Sequence, residues 1–200
     1  YFQYDSKKTG GVTISHLRFG DKPIKSPYYV NKADFVACHT PAYIEKGYKI
    51  VNDVKPGGVF LINCQWDDAE VAEKLNAETK QYIAKNNIQF YTIDGVKIGK
   101  EIGLGGRINT VLQSAFFKLA NIIPEEEAID LMKKAAKASY GKKGDKIVQM
   151  NYDAIDAGAQ QIVEIEVPEH WKNCEDEGLF APAVKGGRKE VVDFVNNIQA

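Results

Sequence analysis

Cysteine and histidine are scarce in this 200-residue chain, at three each. Cys38, Cys64 and Cys174 lie far apart and form no CxxC pair. A zinc or iron–sulfur site encoded in one stretch of chain is thereby excluded. Cys38 and Cys64 fall in apolar, strand-like runs and read as buried free thiols. An odd cysteine count without a secretion signal fits a reducing compartment, and a cytoplasmic location is expected. Charge of one sign is also missing: 26 Lys and Arg face 27 Asp and Glu, for a net charge of −1. That balance excludes a non-specific grip on nucleic acid or on an acidic membrane. No apolar run is long enough to span a bilayer, and no signal peptide is present. HExxH, GxSxG and DxDxDG are absent, so no nucleophile, base or metal set arrives with its usual framework. The chain opens on Tyr1 and not on Met, and it is expected to be a piece of a longer polypeptide.

What is present is ordinary globular material, 44% hydrophobic and 26% charged, enough for one large α/β domain. Residues 1–11 are polar and glycine-tipped. Val12–Phe19 alternates apolar and polar, which predicts a strand with two unlike faces. Asp34–Cys38 reads as a short strand. Ala42–Val51 reads as a helix entered through Thr40-Pro41. Lys55-Pro56-Gly57-Gly58 reads as a turn before Val59–Asn63, a continuous apolar run typical of a strand covered on both faces. A helix from about Asp68 to Asn86 and a strand at Ile88–Ile93 follow. Strand, helix, strand, helix, strand implies crossover units and a largely parallel sheet. Helices are then predicted at Ile108–Leu119, from Pro124 to about Ala138, and at Asp145–Ala159. A late strand is expected at Ile162–Val167, a loop over 169–189 and a short helix or linker to Ile198.

Six places could carry chemistry. Gly103-Leu104-Gly105-Gly106-Arg107-Ile108-Asn109 is a glycine-rich turn feeding a helix, where backbone N–H groups and the helix dipole favour anions. Arg107 adds a forked donor. The spacing matches neither GxGxxG nor a P-loop, and the glycines could instead serve close packing of a buried helix. Ser6-Lys7-Lys8-Thr9-Gly10-Gly11 sets two lysines beside two glycines, a phosphate cradle or merely a solvated turn. His16 and Arg18 share one strand face, at an interface, at a site mouth, or with the histidine simply satisfied. His39 ends the Cys38 strand, where open α/β sheets bind ligands, and either lines a pocket or caps the next helix. Asp67-Asp68 after Trp66 is a carboxylate pair or the acidic start of a helix. His170 and Trp171 sit in a late loop with no partner in view. Read this way, the chain holds a ligand or a partner and has no catalytic centre of its own.

Longer words are more specific. Tyr4–Gly20, Ala33–His39, Glu101–Asn109 continuing to Ala115–Ala120, and Tyr140–Gly144 resemble the pyruvate:ferredoxin (flavodoxin) oxidoreductases, in family order over most of residues 4–171. The aromatic lead-in before Tyr4 fits the same pattern and marks Tyr1–Gln3 as native chain. The segment resembles the gamma-type domain, the third domain of single-chain members. The resemblance implies a three-layer α/β/α fold, Rossmann-like, with a largely parallel central sheet that lacks its first strand–helix unit. Residues 1–171 would be the gamma-type domain, and 172–200 a loop and linker helix toward the next domain.

The family decarboxylates pyruvate on thiamine diphosphate, passes electrons through iron–sulfur clusters to ferredoxin or flavodoxin, and loads the acetyl group onto coenzyme A. By that resemblance this chain holds no cofactor alone, is inactive when isolated, and helps to seat coenzyme A and cover the thiamine diphosphate site. Ser6, Lys7, Lys8, Arg107 and Asn109 are the implied coenzyme A residues. Its partners are the other domains of the enzyme, with ferredoxin or flavodoxin reached through them. Thr40 departs from the family's usual Asn. The family's upstream glycine-rich loop is absent. Two other readings remain: a purely structural interface domain of the same enzyme, and a methyltransferase-like α/β protein suggested by Lys55–Leu61, which lacks the cofactor loop that class needs.

Overall fold

In the computed structural model, residues 1–4, 11–25, 28–176 and 187–199 are described, with side chains to Phe194 in the last helix. Two short strands come first, β1 (Phe2–Tyr4) and β2 (Thr13–Ser15). They pair antiparallel, with Phe2 opposite Ser15 and Tyr4 opposite Thr13. The main sheet holds β3 (Ala33–Cys38), β4 (Val54–Asn63), β5 (Gln89–Ile93) and β6 (Val163–Glu164) in that spatial order. The first three are parallel and β6 closes the edge antiparallel. The expected largely parallel α/β architecture is therefore the one observed.

Strand alternation sorts the core into two layers. Val36, Cys38, Phe60, Ile62 and Phe90 face one side, with α2 (Asp68–Lys74), α3 (Ala77–Lys85) and the short α1 (Ala42–Glu45). Phe35, Ala37, Leu61, Tyr91 and Ile93 face the other, against α4 (Gly95–Ile102), α5 (Asn109–Ala120) and α7 (Asp145–Gln160). Helix α6 (Glu125–Tyr140) packs outside them, its Met132 and Ala136 meeting Ile155 of α7. A last helix, α8, spans Lys189–Gln199. Among the described residues no helix is long and apolar enough to cross a membrane.

Several local expectations are corrected. The stretch 68–86 is two helices, because Leu75 is extended and the Asn76 side chain caps α3 by accepting from Thr79 N–H. The predicted turn Lys55–Gly58 lies inside β4, where a register shift between Ala33 and Phe35 absorbs Pro56 and the left-handed Gly57. The Ala42–Val51 helix stops at Glu45, and Ile50–Asp53 forms a 3-10 turn. Its N-cap is Pro41, which offers no side-chain cap. Of the strand expected over Val12–Phe19, Thr13–Ser15 pairs with β1, and His16 exchanges backbone hydrogen bonds with Tyr1. Trp171, expected in a loop, is 3% exposed in the core beneath the sheet. Beyond it, the Cys174 carbonyl accepts from Gln81 Nε2 at 2.8 Å and the Asp176 carboxylate from Ala77 N–H, so the chain is clasped to α3 as far as Asp176. The loop expected over 169–189 lies partly outside the described residues.

Candidate functional site

Two places at the ends of elements have the right chemistry to be tested as sites. The first lies at the carboxyl ends of β3, β4 and β5. Asn63, 5% exposed, donates from Nδ2 to the His39 carbonyl at 3.0 Å and accepts the Gly95 N–H at 2.9 Å. One amide thus ties the end of β3 to the start of α4. Asp94 caps α4 by accepting from Lys97 N–H at 2.8 Å. A cleft of about 150 Å³ opens among Pro41, Asn63, Cys64, Trp66 and Asp94. Burial pushes both the Cys38 and the Cys64 thiol up to about 11, so neither is a nucleophile near neutrality. Crowding by protein lowers the His39 pKa from its ordinary value, although the outer face of the residue meets solvent. This corner is well satisfied, small and poor in charge. Asn63 went unnoticed in the sequence, where the only signal was one amide ending an apolar run.

The second place is the glycine turn between α4 and α5. Gly103 ends α4 in the left-handed region at φ 88°, and its N–H closes the last turn. Gly105 is also left-handed, at φ 61°. Gly99 of α4 lies against the turn so closely that a Cβ there would sit 2.7 Å from the Gly105 carbonyl oxygen. Leu104 anchors the turn in the core, at 9% exposed. Close packing is required at Gly99, whereas Gly103 and Gly105 are required by their left-handed backbone, and a Cβ at Gly105 or Gly106 would meet nothing within 4 Å; the turn they form fixes where Arg107 and Asn109 emerge. Arg107 is exposed and forms no ion pair among the described residues. Asn109 is exposed at the first residue of α5, a helix whose start receives no side-chain cap.

Asn109 also lines a groove of about 300 Å³ between α5, α6 and α7, with Thr110, Phe117, Tyr140 and Asn151. Asn151 is 4% exposed, donates to the Ile147 carbonyl at 2.8 Å and receives Thr110 Oγ1 at 3.4 Å. Its sequence signal was slight, a lone amide on the buried side of an amphipathic helix.

Of the sequence candidates, Arg107 and Asn109 are brought to one turn and helix start. Ser6, Lys7 and Lys8 lie outside the described residues. His16 is satisfied: Nδ1 accepts from Val30 N–H at 3.2 Å, which leaves the proton on Nε2 facing Gln3 Oε1 at 3.3 Å. Asp67 is a helix cap in a reciprocal capping box with Glu70, so the acidic helix start explains it. His170 is exposed in a 3-10 turn. Among the described residues no group of three or more His, Cys, Asp and Glu side chains could hold a metal ion.

Comparisons with known proteins agree with one another. The pyruvate-flavodoxin oxidoreductase of Enterobacter agglomerans is 54% identical over 98% of this chain, which covers 17% of that protein. The pyruvate:ferredoxin oxidoreductase of Moorella thermoacetica is 51% identical over 88% of the chain and 15% of its own length. The chain thus spans about a sixth of the relatives it matches. In fold, it is similar to subunit PORC of the Thermotoga maritima pyruvate oxidoreductase, with a TM-score of 0.54 at 18% identity, over 68% of this chain and 67% of that one. The family model described as pyruvate ferredoxin/flavodoxin oxidoreductase matches residues 1–161, and the chain belongs to that family.

Proposed function

We propose that this chain is the gamma-type domain of a pyruvate:ferredoxin (flavodoxin) oxidoreductase and that it seats coenzyme A and covers the thiamine diphosphate site. In this reading residues 1–171 form the domain, and the chain beyond leads toward the next. The parent converts pyruvate and coenzyme A to acetyl-CoA and CO2, and reduces ferredoxin or flavodoxin in the cytoplasm. In this reading the iron–sulfur clusters and the metal-anchored diphosphate are held outside this chain; among the described residues no three His, Cys, Asp and Glu side chains gather as a cluster would require. Those groups belong to other parts of the parent, where thiamine diphosphate supplies the carbanion chemistry.

What this chain contributes is position. The observation that carries the reading is the pair Arg107 and Asn109, held by the packed glycine turn at the start of α5, with the guanidinium exposed and unpaired in charge among the described residues. A forked guanidinium beside uncapped helix N–H groups is suited to a phosphate of coenzyme A. Lys7 and Lys8 add positive charge, Ser6 and Asn109 neutral hydrogen bonds. Holding the thiol end in line with an acyl group lowers the barrier by removing orientational freedom, and asks for no acid, base or nucleophile from this chain.

Steady-state kinetics of the full-length oxidoreductase test this. Arg107→Ala is expected to raise the KM for coenzyme A about tenfold, as the loss of one charge-assisted hydrogen bond of ~1.5 kcal/mol implies, with kcat for saturating substrate and the thermal midpoint unchanged. The second reading, a structural interface domain, draws on the glycines' packing role. It predicts an unchanged KM, or a lowered thermal midpoint.

A further inference from the structure

We infer that the outer face of the β1–β2 hairpin is a docking surface for an apolar patch elsewhere on the parent polypeptide, outside these 200 residues. The inference rests on the reading that the chain works inside a larger oxidoreductase, and it names the surface by which it does so. Among the described residues fifteen large hydrophobic side chains are exposed, and nine of them, Tyr1 to Tyr29 in chain order, precede β3. Their exposure is not looseness. Arg18 donates to the carbonyls of Tyr28 and Tyr29 and stacks over the Tyr28 ring at 4.8 Å. Tyr29 in turn packs on His16 at 4.9 Å and Tyr1 at 5.0 Å between ring centroids.

The pleat divides the hairpin. Tyr1 and His16 meet the Tyr29 strap on one side. Phe2 and Tyr4 alternate to the other, beside Ser15 and Thr13, and stand 70% and 75% exposed. Leu17 and Phe19 follow at 69% and 54%. A two-stranded ribbon with one bare aromatic face is marginal in water on its own, and contiguous apolar patches of this kind mark interaction sites.

Size and linkage select the occupant. Phe2, Tyr4, Leu17 and Phe19 at these exposures offer on the order of 400–600 Å² of apolar surface, near the lower limit for interfaces between domains of one chain, about 600 Å². The relatives carry about six times the length of this chain, so most of the parent lies outside it. The segment joining β1 to β2 also contains Ser6, Lys7 and Lys8.

The test uses the full-length oxidoreductase with Tyr4, and separately Phe19, replaced by photoreactive p-benzoylphenylalanine, in a mixture of ¹⁴N- and ¹⁵N-labelled copies. Cross-links to peptides outside residues 1–200, with no pair joining a ¹⁴N to a ¹⁵N copy, are expected. Cross-links confined to residues 1–200, mixed-isotope pairs in the statistical proportion expected of linkage between copies, or no cross-links would overturn the proposal. Hydrogen exchange on the unaltered enzyme guards against a label that disturbs folding. Amides of Gln3 and Ile14 should exchange at least about 100-fold more slowly than in an unstructured peptide, and exchange at the unstructured rate refutes docking. Coenzyme A affinity is read separately in Lys8→Ala. Cross-links with unchanged affinity keep the docking surface and reject the coenzyme A reading, whereas weakened affinity without cross-links does the reverse.

Discussion

Asn63 holds Gly95: its side-chain oxygen accepts the Gly95 N–H at 2.9 Å inside the protein, and its amide donates to the carbonyl of His39. Three segments that are far apart in sequence converge on this one buried side chain. Asn63→Leu keeps the volume and removes both partners. Leaving a buried donor and acceptor unsatisfied should cost about 2–4 kcal/mol, read as a shift of the urea midpoint without a change in slope. A midpoint within the error of the native chain would show that these groups are hydrated in the native fold.

Gly158 sits where α7 crosses α5. A Cβ there would lie 2.4 Å from the Val111 carbonyl oxygen and 2.9 Å from Ser114 Cβ. In an exposed helix, glycine to alanine gains about 1 kcal/mol. Here the sign reverses, and Gly158→Ala should destabilise by about 1–3 kcal/mol through overpacking. Thermal unfolding at equal concentration checks it. A raised midpoint would mean that the α5–α7 contact is looser than described.

How legible this was in the sequence follows from range. Val59–Asn63 announces a central strand because five residues in a row need cover on both faces. Helices α5, α6 and α7 were also readable from period and capping. The Phe2–Tyr4 strand was not, since it pairs with the distant Thr13–Ser15 and three residues are too few to show a period. Helix α4 was missed because Gly95 and Gly99 argue against a helix interior, whereas both are there for close approach to Asn63 and to the Gly105 carbonyl. Arg107 and Asn109 were visible as residue types beside a glycine turn. The groove that Asn109 shares with Tyr140 and Asn151 was not, because it forms only when three helices pack.

Cys38 and Cys64 make the stability depend on alkaline pH. Both thiols are raised by burial from the ordinary 9.0 to about 11. The unfolded chain therefore ionises first. Their contribution is whole below pH 9 and is lost as pH rises through 11, on the order of 1–3 kcal/mol per thiol. The Cys38→Ala, Cys64→Ala double variant should show a shallower fall in urea midpoint between pH 9 and 10.5 than the native chain. At pH 8, iodoacetamide should leave both thiols unmodified in the folded protein, with thiolate at only about one part in a thousand, and should modify them in denaturant. Rapid labelling of either in the folded state would contradict their burial.

The central claim is that Arg107, with Lys7 and Lys8, holds a phosphate of coenzyme A. Calorimetric titration of the full-length oxidoreductase with coenzyme A and with its 3′-dephospho form measures this most directly. The native enzyme should prefer coenzyme A by about tenfold or more, as a phosphate paired with cationic side chains requires. In Arg107→Ala or Lys8→Ala that preference should collapse toward one, with the affinity for the dephospho form little changed. An undiminished preference in all variants would contradict the account and assign the phosphate to residues outside this chain.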